Sequence, residues 1–345
     1  MSLLEHYGAY NGTWLMEQDF PPTKYVVDGL IPEGLTYLIA APKIGKSWMV
    51  LDLALAVTQG VPFLGAIPVD RRPVMYLALE DGPKRMQSRA RALDCLQLPR
   101  SILFVHRVKP EHARELMREF MNLYAGQEPL VILDTLGKIK PAKAPGEGAY
   151  EHDYAVSAGL KEVADDAEGS VIVVHHNRKA GSEDFLEDVS GTQGIAGAAD
   201  TIIVIRRRRT EVDGELHITS RDAAEGSYAV KFNDGKWTLD GNGLDDASRA
   251  LSDREATKNL AEPNTELLAF VNSRSAPTAP GDVVPALGHL LGEGDEKSKA
   301  KRAGTYLGRL AAQGKIKRTG WGAYARVESV ESVETGNGDR VGATS

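Results

Sequence analysis

The segment Ala40-Ala41-Pro42-Lys43-Ile44-Gly45-Lys46-Ser47 joins an apolar run, Thr36 to Ala40, to a helical pattern that starts near Ser47 and stops at Gly60. A strand that passes through a short glycine-containing loop straight into a helix commits the chain to an α/β architecture, because the helix must return over the sheet before a parallel neighbour can form. The rest of the sequence agrees. From Leu35 to about Leu239, short apolar runs alternate with helical patterns. The candidate core strands are Thr36 to Ala40, Val74 to Leu79, Ile102 to His106, Leu130 to Asp134, Val171 to His175 and Thr201 to Ile205. They are bulky and almost uncharged, as strands covered on both faces are. Helices are expected over Ser47 to Thr58, Pro83 to Leu93 and His112 to Tyr124. After Arg209 the pattern changes to Glu215 to Ser220, Ser227 to Phe232 and Lys236 to Leu239. The last two are joined by Asn233-Asp234-Gly235, the sequence of a tight antiparallel turn.

Ala40 to Ser47 follows G-x-x-x-x-G-K-[ST], with alanine at the first glycine position. In such a loop, backbone N–H groups at a helix N-terminus wrap the β-phosphate of a nucleotide. Ala41, Pro42, Lys43, Ile44, Gly45, Lys46, Ser47 and Trp48 would line ATP, with Lys46 on the β/γ oxygens and the Ser47 hydroxyl on Mg2+. Hydrolysis also needs a carboxylate on the metal side and a group that activates water. Val131-Ile132-Leu133-Asp134-Thr135 is an apolar strand ending in an acid, which makes Asp134 the second candidate metal residue. Tyr76-Leu77-Ala78-Leu79-Glu80-Asp81 places Glu80 at a strand end as candidate base, with Asp81 better suited to capping the following helix. His175 and His176 end another strand, where either phosphate sensing or a structural role is open. The spacing does not support a histidine metal site. Ser190-Gly191-Thr192-Gln193-Gly194 precedes the last central strand, and Arg206 to Arg209 follow it. A four-arginine run is most often a solvated edge. In an oligomeric ATPase, however, Arg206, Arg207 or Arg221 could reach a neighbour's γ-phosphate.

The 345 residues carry 41 basic and 48 acidic side chains, a net charge of -7, so the whole molecule is not a polyelectrolyte binder. The distribution is uneven. Between Lys297 and Arg326 there are nine basic residues and no acidic one. The expected organisation is an ATPase domain over 1–240 with an N-terminal extension over 1–24, a polar linker over 241–263, a basic winged-helix-like domain over 264–327, and a disordered tail over 328–345. Helical patterns at Thr265 to Asn272, Asp282 to Leu291 and Ala300 to Gln313, then a hairpin about Thr319-Gly320, support the winged unit. The lone Cys95, the lack of a basic-then-apolar leader and the lack of a membrane-length apolar run lead us to expect a cytoplasmic protein.

As a set, Ala-Pro-Lys-Ile-Gly-Lys-Ser at 41–47, Leu-Ala-Leu-Glu-Asp at 77–81, Val-Ile-Leu-Asp-Thr at 131–135, Val-Val-His-His at 173–176 and Ser-Gly-Thr-Gln-Gly at 190–194 resemble the RecA-like ATPases of the RepA and DnaB hexameric-helicase group, found in plasmid and phage replication proteins. The resemblance covers about Tyr25 to Leu239. It implies a RecA-like P-loop core, Glu80 as base, Asp134 as Walker B acid, His176 or Gln193 as sensor, and Arg206, Arg207 or Arg221 acting in trans. It also implies a homo-oligomeric, hexameric ring on DNA. No primase or N-terminal helicase domain is evident, and the basic C-terminal unit lies outside the minimal helicase pattern. An ATP-switched DNA-binding initiator or regulator and a RecA-like recombination ATPase are therefore the alternatives to a motor on single-stranded DNA. Lys138, Lys140 and Lys143 are candidate DNA contacts, or simply part of a surface loop.

Overall fold

The computed structural model describes residues 8–176, 193–257, 262–320 and 322–327. The chain divides into two compact units between Leu251 and Ser252. The first opens with a short helix, α1 (Gly12–Glu17), which buries none of its residues. A small antiparallel pair follows, β1 (Tyr25–Val27) and β2 (Ile31–Pro32). Then come β3 (Gly34–Ala40), α2 (Lys46–Gln59), β4 (Val74–Ala78), α3 (Pro83–Ala92), β5 (Ile102–Val105), α4 (Pro110–Leu123), β6 (Leu130–Asp134), α5 (Ala149–Asp165), β7 (Ser170–His176), α6 (Gln193–Ala198) and β8 (Thr201–Arg207). The antiparallel strands β9 (Asp213–Ser220), β10 (Gly226–Asn233) and β11 (Lys236–Leu239) complete one nine-stranded sheet in the order β11-β10-β9-β8-β3-β7-β6-β4-β5.

The six strands from β8 to β5 are parallel, and β9, β10 and β11 extend the sheet antiparallel beyond β8. The period-two alternation of strand side chains divides the core into two layers. Leu38 and Ala40 of β3 join Tyr76, Ile132, Val174 and Ile203 on the face covered by α2 and α3. Leu35, Tyr37 and Ile39 join Leu77, Val131, Val173 and Val204 on the face covered by α4 and α5. Asp234 and Gly235 both have positive φ (49° and 92°), and Asn233 pairs with Lys236, so the β10–β11 connection is the tight turn expected from its sequence.

Two stretches depart from expectation. The 241–263 segment is not a plain linker, because Leu244–Thr257 forms a helix, α7. Asp245 and Asp246 in its first turn complement the helix dipole, and Ala247 and Leu251 are buried. Helix α5 had no clear sequence signal, because its buried face includes His152, Asp153 and Ser157. These polar groups meet charged or polar neighbours within the fold: Ser157 and Tyr37 hydroxyls lie 2.8 Å apart, Asp153 forms an ion pair with Lys140, and His152 sits between Glu147 and the Pro141 carbonyl.

The second unit contains α8 (Glu262–Asn272), α9 (Pro280–Leu287), α10 (Glu296–Ala312) and the hairpin β12 (Ile316–Gly320) with β13 (Ala323–Arg326). Leu267, Leu268, Val283, Leu307, Leu310, Ile316 and Tyr324 form its core. Thr278 bonds Tyr324 through both backbone groups, adding a short third bridge to the hairpin. Residues 328–345 lie outside the described set. Among the described residues no helix is long and apolar enough to cross a membrane.

Candidate active site

The C-terminal ends of β3, β7, β6 and β4 bring the site together, since parallel strands all deliver their last residues to one edge. Beyond β3 the chain turns at Lys43 (φ 67°) and Gly45 (φ 111°), and Lys46 starts α2. Lys46 is buried. Its Nζ donates to the carbonyls of Ala40 (2.6 Å) and Ala41 (2.8 Å), folding the ammonium back over its own loop. Burial lowers its pKa to about 8, against the opposing pull of the Asp134 and Glu80 carboxylates.

Asp134 is buried at the end of β6. Its Oδ2 accepts the Tyr76 hydroxyl at 2.9 Å. Burial raises its pKa, while the nearby Ser47 and Tyr76 hydroxyls oppose that shift. Its Oδ1 is buried with no hydrogen-bond partner. A buried carboxylate oxygen without a partner is costly, and a hard divalent cation beside Ser47 would supply what it lacks. The residues present therefore fit Mg2+. Tyr76, which orients this carboxylate, has no motif signal in the sequence.

Glu80, just past β4, is half-exposed. Its carboxylate lies 3.5 Å from the Thr135 hydroxyl and 3.7 Å from His176 Nε2. Asp81 beside it is buried and held by Arg85 and Arg89, so the two adjacent acids have different surroundings. Burial lowers the His175 pKa to about 4, leaving a neutral imidazole at pH 7. His176 Nδ1 is buried without a partner. Gln193 opens α6, and its side chain lies outside the described residues, as do Ser190 to Thr192.

The arginines separate. Arg206 lies opposite Glu215 in the β8–β9 ladder. Arg221 is largely exposed; it donates to the Gly197 carbonyl at 3.2 Å and approaches Asp200 at 3.8 Å. Arg207 turns toward the phosphate loop of its own chain. Its guanidinium donates to Ile44 of its own phosphate loop, at 3.3 Å from Nε and 3.2 Å from Nη2. The side chain points back because it lies over the rings of Phe232 (4.5 Å) and Trp237 (5.8 Å). Trp48 packs beneath Arg89, 5.4 Å from the guanidinium, and against Gly235. Its ring is thus engaged within the fold. Among the described residues no group of three His, Cys, Asp or Glu side chains forms a metal cluster.

Strand β7 lies between the loop-bearing strand β3 and the acid-bearing strand β6, with the Glu80 strand β4 beyond. With the lysine–serine loop at the head of α2, this is the strand order and loop placement of a P-loop nucleotide-binding α/β fold. Residues 13–182, just under half of the chain, match the family model described as AAA domain. Among solved structures, one described as an ATPase domain aligns at 16% identity and a TM-score of 0.49, covering 69% of this chain and 98% of that one. A DnaB-like replicative helicase, solved for its interactions with primase, aligns at 17% identity and a TM-score of 0.48, covering 59% of this chain and 57% of that one. No curated protein sequence matches.

Proposed function

We propose that the chain is an ATP-hydrolysing motor on DNA, a RepA-like ring helicase of phage or plasmid type. The observation that carries this reading is the convergence of Lys46, Ser47, Asp134 and Glu80 at one sheet edge, with Asp134 Oδ1 unsatisfied. Lys46 would leave the Ala40 and Ala41 carbonyls for the β/γ oxygens, and loop N–H groups would hold the β-phosphate. Ser47 Oγ and Asp134 would hold Mg2+, which when bound neutralises charge on the phosphates. Glu80 would take the proton from the attacking water, with His176 and Thr135 fixing its carboxylate. His176 and Gln193 are the candidate sensors. Arg221, exposed on the sheet flank, is favoured over Arg206 as the group given to a neighbouring copy.

Steady-state ATP hydrolysis without nucleic acid, with single-stranded DNA and with duplex DNA tests the reading. A motor predicts stimulation by single strands that Lys46→Ala and Glu80→Gln both abolish. Hydrolysis indifferent to every nucleic acid would remove the DNA motor.

The second unit favours a second reading, an ATP-switched DNA-binding initiator or regulator. Its three helices and hairpin suit a winged helix, with Lys297, Lys301 and Arg309 exposed along α10 and Lys317, Arg318 and Arg326 on the hairpin. Duplex binding that survives Glu80→Gln, without unwinding by the intact chain, would favour this alternative.

A further inference from the structure

The antiparallel extension of the sheet reaches the phosphate loop from below, at a place no catalytic role explains. Arg207 Nε and Nη2 both donate to the Ile44 carbonyl, and Trp237 Nε1 donates to the next carbonyl, Gly45, at 3.0 Å. Trp237 is fully buried, and its ring lies 4.9 Å from Phe232, its cross-strand partner. Arg207 is anchored in turn, Nη1 donating to the carbonyls of Glu211 (2.6 Å) and Arg209 (3.3 Å). A Cβ added at Gly45 would stand 3.0 Å from both Phe232 and Trp237. The loop glycine is therefore required by this contact as well as by any phosphate.

We propose that Arg207 and Trp237 are positioning residues that hold the phosphate loop in its nucleotide-binding form before nucleotide arrives. The proposal rests on reading that loop as a nucleotide site. Its physical basis is the planar trans peptide, in which C=O and N–H point in opposite directions. Fixing the Ile44 carbonyl downward aims the Gly45 N–H upward; Trp237 adds to the hold that the Trp48 (3.2 Å) and Met49 (3.1 Å) N–H groups of α2 already have on the Gly45 carbonyl, which does the same for the Lys46 N–H. These two donors stand at the start of α2, where a phosphate would be received. A loop whose donors are aimed beforehand loses less conformational freedom on binding and so binds more tightly.

This role differs measurably from that of an arginine acting on a neighbour's nucleotide, which would lower kcat and leave binding intact. Mg·ADP binding to the full chain, measured by titration calorimetry, is compared with steady-state kcat and KM for ATP. Arg207→Ala is expected to weaken Mg·ADP binding about tenfold or more and to raise KM in parallel, with kcat at saturation kept within about twofold, because a charged donor pair is lost. Trp237→Phe keeps the ring and removes only the N–H, so a loss of about threefold to tenfold is expected. If Arg207→Ala does not fold, Trp237→Phe decides alone. Unchanged binding in the variants that fold, or a fall in kcat at unchanged binding, overturns the proposal. Failure of the unsubstituted chain to bind Mg·ADP would remove the nucleotide reading itself, which is distinguishable from variants that bind as well as the original.

Discussion

Two residues carry protonation equilibria that folding has displaced in opposite senses. Lys46 is a base whose pKa burial lowers to about 8. Phosphate beside the ammonium would restore its charge, so nucleotide binding takes up a proton wherever the free lysine is neutral. Mg·ADP titrations in two buffers of different ionisation enthalpy should show little uptake at pH 7 and close to one proton at pH 9, with affinity weakening above about pH 8. No uptake at pH 9 would mean that Lys46 does not meet the phosphates. Asp52, on α2, is an acid whose pKa burial raises to about 6, in opposition to Lys236. The folded state therefore holds this proton more tightly than the unfolded chain, and the stability it contributes is lost as pH rises from about 4 through about 6. Asp52→Asn should remove that dependence and stabilise the protein at pH 7.5 by about 1–2 kcal/mol, below the full equivalent of the displacement because the site is partly hydrated. Urea midpoints of both proteins at pH 4.5 and 7.5 check it, and equal differences at the two pH values would contradict it.

At the scale of elements, the β10–β11 turn sits where several contacts meet. Gly235 has φ 92°, and a Cβ there would come within 2.5 Å of the Trp48 ring. Gly235→Ala should cost about 1–3 kcal/mol, read by chemical denaturation, and should also weaken nucleotide binding because Trp237 lies two residues on. Stability retained with binding intact would show that the turn is mechanically independent of the loop. Both the turn and the central strands were legible in the sequence, since Asn-Asp-Gly prescribes a turn and bulky uncharged runs prescribe buried strands. Helices α5 and α7 were not. In α5 the buried face is partly polar, so apolar periodicity fails; in α7 the acidic, turn-like composition hides two buried aliphatic contacts, Ala247 and Leu251. Within the candidate site, Lys46, Ser47, Glu80 and Asp134 announce themselves by position after apolar runs. Tyr76, Trp237 and the inward course of Arg207 do not, because each depends on pairing between distant strands that no local pattern records.

For the molecule as a whole, the division near Leu251 makes a thermal prediction. Calorimetric unfolding should show the two units as separable transitions, each with its own core. Mg·ADP at a hundred times its dissociation constant stabilises only the unit that binds it, by about 2.7 kcal/mol, or about 5–11 °C for a domain of that size. A single transition that moves as one would show the units to be thermodynamically coupled. The bond from Trp237 to Gly45 has a further practical consequence. Indole emission depends on the polarity and hydrogen bonding around the ring, and Trp237, with Trp48 next to Ser47, is in contact with the loop and its helix. Intrinsic fluorescence should therefore follow nucleotide arrival and departure in real time, giving a label-free optical clock for the cycle in which Trp237→Phe or Trp48→Phe identifies the ring that responds.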